Sequence, residues 1–232
     1  MLILAHRGAS RDAPENTLRA FSEAFSQHAH GLEFDTYQLH QDIIVFHDRW
    51  LHRTTNGSGR VLDQTLSTLR SLDAGYGEQI PFLHEVLALC PGNSICNIEI
   101  KQLHDVAAWL QAFDEALHSS RLTTDNIIIS SFNHRWLRDI KAQRPALQIG
   151  ALTASFPVNG PAFASELGAY SLHVTLDMIE ESYVREAHQA GLKVLVYTVD
   201  MPDDMLMLKS WGVDGIFTNV PSVARATLGD YL

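Results

Sequence analysis

Nine short runs rich in apolar and β-branched residues recur along the chain: LILAH, GLEFDTYQL, DIIVFHD, SICNIEIK, NIIISSF, LQIGALT, YSLHVTL, KVLVYTV and GIFTN. Most gaps between them carry a helix-period pattern, as in Leu18, Phe21, Ala24 and Phe25 after Pro14, or Val184, Ala187 and His188 before Gly191. Strands alternating with helices predict a parallel sheet with crossover connections. About eight such units in 232 residues suit an α/β fold of the (β/α)8 TIM-barrel type. The count is high for a doubly wound sheet, and no dinucleotide-type glycine loop follows the first run. With no linker, fixed-period repeat or low-complexity segment, residues 1–232 read as one barrel domain. The alternation breaks once, at about 49–81, where RTTNGSGRV and DAGYGEQIP are polar, glycine-bearing and poorly periodic. That stretch is expected to be a small cap-like insertion after the second strand unit.

Composition narrows the function classes. A chain with 46% hydrophobic and 19% charged residues can bury a sizeable core, and it is neither disordered nor membrane-like in character. Its formal net charge of -10 argues against a general nucleic-acid partner and against stable association with anionic membranes, since both would be repelled. The opening run is interrupted by His6, Arg7 and Arg11 too early for a signal peptide or a membrane span, so a cytoplasmic location is expected. Cys90 and Cys96 lack a metal-ligand spacing and are expected as buried free thiols.

Ionisable residues at alternating positions inside apolar strands are the informative exception. In GLEFDTYQL, Glu33 and Asp35 share one strand face while Leu32 and Phe34 take the other; in NIEIK, Asn97, Glu99 and Lys101 share a face opposite Ile98 and Ile100. Burying three carboxylates is costly unless positive charge offsets them. Two arrangements would do so. Glu33, Asp35 and Glu99 can ligate one hard divalent metal ion, Mg2+ or Ca2+, or Arg7 and Lys101 can neutralise them in a salt-bridge network. His6 and His47 each close an apolar run, which in a parallel barrel is the C-terminal, active-site end, and a histidine pair suits proton transfer near neutral pH. Arg7 offers a fork and Lys101 a point charge for a phosphate. Together these residue types describe metal-assisted cleavage of a phosphate ester.

The strings AHRGAS, PENT, GLEFDTYQL, VFHD, RTTNGSG, IEIK, SSFNH, GLKVLVYTV and GVDGIFTNVP occur in this order from end to end. As an ordered set, they make the chain resemble the glycerophosphodiester phosphodiesterases, in particular the short cytoplasmic bacterial kind. The resemblance implies a barrel enzyme that hydrolyses small-molecule glycerophosphodiesters, such as glycerophosphocholine or glycerophosphoethanolamine, to glycerol 3-phosphate and an alcohol. It places His6 and His47 on the acid/base pair, Glu33, Asp35 and Glu99 on the metal ligands, and Arg7 and Lys101 on the phosphate contacts. Glu15 and Asn16, within PENT, read at least as well as the charged start of a helix as they do as direct catalytic residues, and Ser131 and Phe132 read as pocket lining or strand-exit packing.

Three departures from the family pattern stand out. Tyr197-Thr198-Val199-Asp200 replaces a usual Trp-Thr-Val-Asn, Thr218-Asn219 replaces a usual Thr-Asp, and the insertion passes quickly from Asp73 through Tyr76 to Glu78. None falls on the acid/base or ligand positions, so they are expected to bear on alcohol preference. Other functions fit less of the sequence. A phospholipase-like member of the superfamily would need an apolar lip, a phosphate-binding isomerase would not need clustered carboxylates, and a catalytically silent binding protein on this fold would be expected to have lost a histidine or a ligand.

Overall fold

The computed structural model describes residues 1–229. Each of the nine runs forms a strand: β1 (Leu2–His6), β2 (Gly31–Leu39), β3 (Asp42–Val45), β4 (Ile95–Gln102), β5 (Ile127–Ser131), β6 (Gln148–Thr153), β7 (Ser171–Thr175), β8 (Lys193–Tyr197) and β9 (Gly215–Thr218). Eight of them are parallel and pair in the order β1-β9-β8-β7-β6-β5-β4-β2, and a β1–β2 pairing closes the ring. The expected (β/α)8 barrel is therefore the observed one.

β3 is the exception, because it pairs antiparallel to β2, with Thr36 opposite Val45 and Leu39 opposite Asp42. Only His40 and Gln41 separate the two strands, which suffices for a hairpin and is far too short for a crossover. The consequence is positional. β2 runs past the barrel rim, and β3 carries the chain back until Phe46 donates its N–H to the Asp35 carbonyl at 2.9 Å. His47 thus comes to the rim beside Asp35 by an antiparallel return, whereas His6 arrives as the sequence suggested, at the end of a barrel strand.

Helices pack outside the strands with the faces their periodicity requires. Leu18–Ser26 is capped by Thr17, whose hydroxyl accepts from the Ala20 N–H, and it buries Ala20, Phe21 and Ala24 against the barrel. Val106–His118 buries Trp109, Leu110, Phe113 and Ala116. Segment 49–81 is less irregular than its sequence suggests. It contains single turns at Leu51–Arg53 and Val61–Asp63, a short helix at Leu66–Ser71, and a satellite core in which Leu51, Val61, Leu69, Ala74 and Ile80 meet Tyr37 and Ile44. Cys90 and Cys96 are buried free thiols, with sulfurs 3.4 Å apart.

The barrel interior is filled by Leu4, Leu195 and Phe217, with the His173 ring centroid 5.2 Å from that of Phe217. Gly150 makes room for this imidazole, since a Cβ there would lie 2.4 Å from its Cε1. Ser171 Oγ lies 2.8 Å from His173 Nε2, and Nδ1 has no hydrogen-bond partner among the described residues. Burial lowers the His173 pKa to about 3, so the ring stays neutral in the fold while the unfolded chain takes up a proton near pH 6.5. This group's contribution to stability is complete above pH 6.5 and is lost as pH falls toward 3, with a slope of about 1.4 kcal/mol per pH unit. Urea denaturation between pH 7 and pH 4 should show a shallower loss of stability in His173→Phe than in the parent chain. Parallel losses in the two proteins would disprove a neutral buried ring.

Candidate active site

The register of β2 and β4 sets Glu33 opposite Asn97 and Asp35 opposite Glu99, while β1 sets His6 opposite Glu33. The alternating faces inferred from sequence therefore converge, and one oxygen from each of Glu33, Asp35 and Glu99 lies within 4.8 Å of the others. β4 carries one extra residue at this point, since Thr36 opposes Ile100 and Tyr37 opposes Gln102, leaving Lys101 in a bulge. The Lys101 Nζ lies 2.7 Å from Glu99 and 3.5 Å from Asp35.

Arg7 follows the last residue of β1 in a left-handed turn, with φ 58° and then 84° at Gly8. A Cβ on Gly8 would meet the Ala20 backbone at 2.6 Å, so glycine there serves both the turn and the close approach of the first helix. Arg7 Nε faces Asp35 at 3.1 Å and its Nη1 donates to Glu15 at 2.8 Å, so much of the guanidinium fork is engaged by carboxylates.

These charges are unevenly offset. Burial pushes Glu33 well above the ordinary carboxylate range, and the charges of Asp35 and Glu99 push it further. Burial likewise raises Glu99 to about 7, helped by Asp35. Burial acts upward on Asp35 too, but Arg7 and then Lys101 outweigh it and hold this carboxyl low. One oxygen of Glu33 is buried with no hydrogen-bond partner among the described residues. The salt-bridge network anticipated for Arg7 and Lys101 is therefore present, yet it leaves negative charge uncompensated. The oxygen-only donor set and the orphaned Glu33 oxygen fit a hard divalent cation.

Each histidine has a defined partner. His6 Nδ1 lies 2.8 Å from Asn219 Oδ1, and Asn219 donates its Nδ2 to Asp200 at 2.7 Å. Asp200 also accepts from the Asn219 backbone N–H at 2.8 Å. Burial, and then the Arg7 charge, lower His6 to about 4. The departures at positions 200 and 219 thus form a contacting pair directly behind His6, closer to the histidines than an effect on alcohol preference alone would need. His47 Nδ1 lies 2.6 Å from Asp48 Oδ1. Arg53 donates to that same oxygen at 2.9 Å and to both oxygens of Glu15 at 2.7 Å. A chain of charges accordingly runs from His47 through Asp48, Arg53, Glu15 and Arg7 to Asp35.

Glu15 and Asn16 do not start a helix, which begins at Leu18. Asn16 takes φ 58°, is buried, and donates its side-chain N–H to Asp35 at 2.9 Å. The PENT string was the available signal for both residues, as VFHD was for Asp48, RTTNGSG for Arg53 and the two departures for Asp200 and Asn219, although none of these strings names the partner that each side chain meets. Of the two residues left open at the end of β5, Ser131 is buried and donates to the Ile100 carbonyl at 2.8 Å. Phe132 is exposed, stands edge-on to Tyr197 and lies under the Lys101 ammonium at 6.0 Å, so it can wall the site.

Residues 6–223, from the first histidine to the last helix, match the glycerophosphoryl diester phosphodiesterase family. The chain belongs to this family. It is 38% identical over 232 residues to a glycerophosphodiester phosphodiesterase of Caldanaerobacter subterraneus subsp. tengcongensis, covering 95% of this chain and 94% of that one. Its fold superposes on an Oleispira antarctica phosphodiesterase solved with the product sn-glycerol-3-phosphate, with TM-score 0.90, 28% identity and coverage of 99% of this chain and 97% of that one. A glycerophosphodiester phosphodiesterase of Agrobacterium tumefaciens gives TM-score 0.83 at 26% identity, with coverage of 97% and 99%. As a member of the glycerophosphoryl diester phosphodiesterase family, the chain is a phosphoric diester hydrolase. Among the described residues no helix is long and apolar enough to cross a membrane.

Asn16 separates two contributions experimentally. Asn16→Ala should cost about 2 kcal/mol, combining a left-handed alanine with a lost hydrogen bond to a charged group. Asn16→Gly should recover about 1 kcal/mol of this, because glycine tolerates the backbone. Urea titrations of both variants measure the split, and two variants of parental stability would remove Asn16 from the support of Asp35.

Proposed function

We propose that the chain hydrolyses glycerophosphodiesters, among them glycerophosphocholine and glycerophosphoethanolamine, to glycerol 3-phosphate and the free alcohol in a divalent-metal-dependent reaction. The observation that carries this reading is the convergence of Glu33, Asp35 and Glu99 within 4.8 Å on the rim that also bears His6 and His47. Glu33, Asp35 and Glu99 would hold one Mg2+ or Ca2+ ion. When bound, such an ion supplies positive charge beside the phosphate oxygens, where charge builds in the transition state.

The partners of the two histidines support distinct roles. His6 meets a neutral amide oxygen at Nδ1, so its proton sits there and Nε2 keeps a lone pair, and burial and the Arg7 charge outweigh the nearby carboxylates, including Glu33 at 3.9 Å from Nε2, in keeping the ring neutral. His6 is the general base that removes the proton from the attacking oxygen, which is either water or a substrate hydroxyl. His47 is oriented through Nδ1 by the Asp48 carboxylate, which leaves Nε2 for the substrate, and it is the general acid that delivers a proton to the alcohol oxygen as the phosphorus–oxygen bond breaks. Lys101 and the free edge of the Arg7 fork hold the phosphate. Segment 49–81 covers the leaving alcohol, consistent with its emergence directly after His47.

Release of glycerol 3-phosphate from glycerophosphocholine, followed with a coupled dehydrogenase, tests the activity. His6→Ala and His47→Ala should each lower kcat by roughly 10²-fold or more. Turnover near the parental rate in either variant would remove that histidine from proton transfer. Exhaustive chelation should abolish turnover and Mg2+ or Ca2+ should restore it, whereas Glu33→Gln and Glu99→Gln should require more metal for half-maximal rate. Full activity of the chelated parent would overturn the metal reading.

A further inference from the structure

A cavity of about 280 Å³ opens beside Lys101, lined by Tyr37, Arg49, Arg60, Leu62, Lys101 and Gln102. Every charged residue in that lining is cationic. Arg49 is exposed and Arg60 half-buried, and neither guanidinium has a carboxylate or hydrogen-bond partner among the described residues. Their neighbour in the same segment behaves differently, since Arg53 is engaged by both Asp48 and Glu15. The backbone fixes where the two unpaired arginines stand. Trp50 and Arg60 form an antiparallel bridge, Leu51 donates to the Gly59 carbonyl at 3.0 Å, and Val61 donates to the Arg49 carbonyl at 3.1 Å.

In a protein of net charge -10, two adjacent cations left uncompensated in a cavity repel each other and attract an anion. The cavity shares Lys101 with the site assigned to the diester phosphate, so a ligand held there can extend outward to Arg49 and Arg60. We infer that Arg49 and Arg60 form a second anion subsite, which makes glycerophosphodiesters whose alcohol carries its own anionic group better substrates than those with a neutral or cationic alcohol. This inference rests on the activity proposed above and adds the substrate class. A choline cation would meet the two guanidinium charges of Arg49 and Arg60 there, while a phosphate or carboxylate would meet donors suited to it.

The experiment compares kcat/KM for glycerophosphoglycerol, glycerophosphoglycerol phosphate, glycerophospho-N-acetylserine and glycerophosphocholine. These carry a neutral alcohol, a second phosphate, a carboxylate and a cation in turn. The phosphate-bearing diester should exceed the neutral one by on the order of tenfold, as two partly exposed charge pairs would give, and its KM should rise with ionic strength more steeply. A gain shared by the carboxylate diester indicates a general anion site, and a gain confined to the second phosphate indicates a phosphate site. In Arg49→Gln/Arg60→Gln the ratio of anionic to neutral substrate should fall toward one. Equal kcat/KM values across the four substrates, or a ratio unchanged in the double variant, would overturn the subsite while leaving the phosphodiesterase activity intact. Hydrolysis of none of the four would instead overturn the activity, and the subsite with it. Should the double variant fail to fold, the substrate ratio and salt dependence of the parent protein decide the matter alone.

Discussion

Three carboxylates forced together at a buried barrel rim are the constraint to which the surrounding structure answers. Glu33, Asp35 and Glu99 are brought within 4.8 Å by strand register, and each loses hydration that would cost several kcal/mol if left unanswered. The nearby cations meet part of that cost. Arg7 reaches Asp35 from a left-handed turn, Lys101 reaches Glu99 and Asp35 from a bulge, and Asn16 donates to Asp35 from another left-handed residue. Three departures from regular backbone therefore surround one carboxylate cluster. Strain and irregularity concentrated in this way are characteristic of sites that the rest of the fold holds in place.

The same electrostatics reach outward to segment 49–81. Arg53 bridges Asp48, which faces His47, and Glu15, which faces Arg7. The segment is thereby tied to both sides of the rim by ion pairs as well as by its satellite core around Leu51, Val61 and Leu69. Barrel enzymes commonly vary their loops at this face while the strands keep the chemistry. Here the segment has two parts: Arg53 is locked into the charge chain, and Arg49 and Arg60, unpaired among the described residues, line a cavity next to Lys101.

The pair Asp200 and Asn219 illustrates how a local exchange alters a distant group. With an amide rather than a carboxylate against His6 Nδ1, and the carboxylate one residue further back, the imidazole is held by a neutral hydrogen bond on that side, while a Glu33 oxygen stands 3.9 Å from Nε2. His47 has a carboxylate, that of Asp48, against its Nδ1 at 2.6 Å. Two histidines on one rim thus acquire unlike partners at Nδ1, an amide for one and a carboxylate for the other.

The sequence by itself determined the barrel, because nine apolar runs, most of them separated by helical periods, allow few other parallel arrangements, and it determined which strand faces carry Glu33, Asp35 and Glu99, because a strand's two-residue period is a local property. It also carried family membership, through strings spread over the whole chain. Tertiary structure alone decided the rest. That β3 turns back and delivers His47 to Asp35 depends on the pairing of β2 with its hairpin partner. That Asn16 and Glu15 point into the site depends on two left-handed turns. That Asn219 meets His6 depends on β9 closing against β1, across 213 residues of chain. Periodicity reports which way a side chain faces along its own element, but partners distant in sequence are chosen by barrel closure, and no local pattern records that choice.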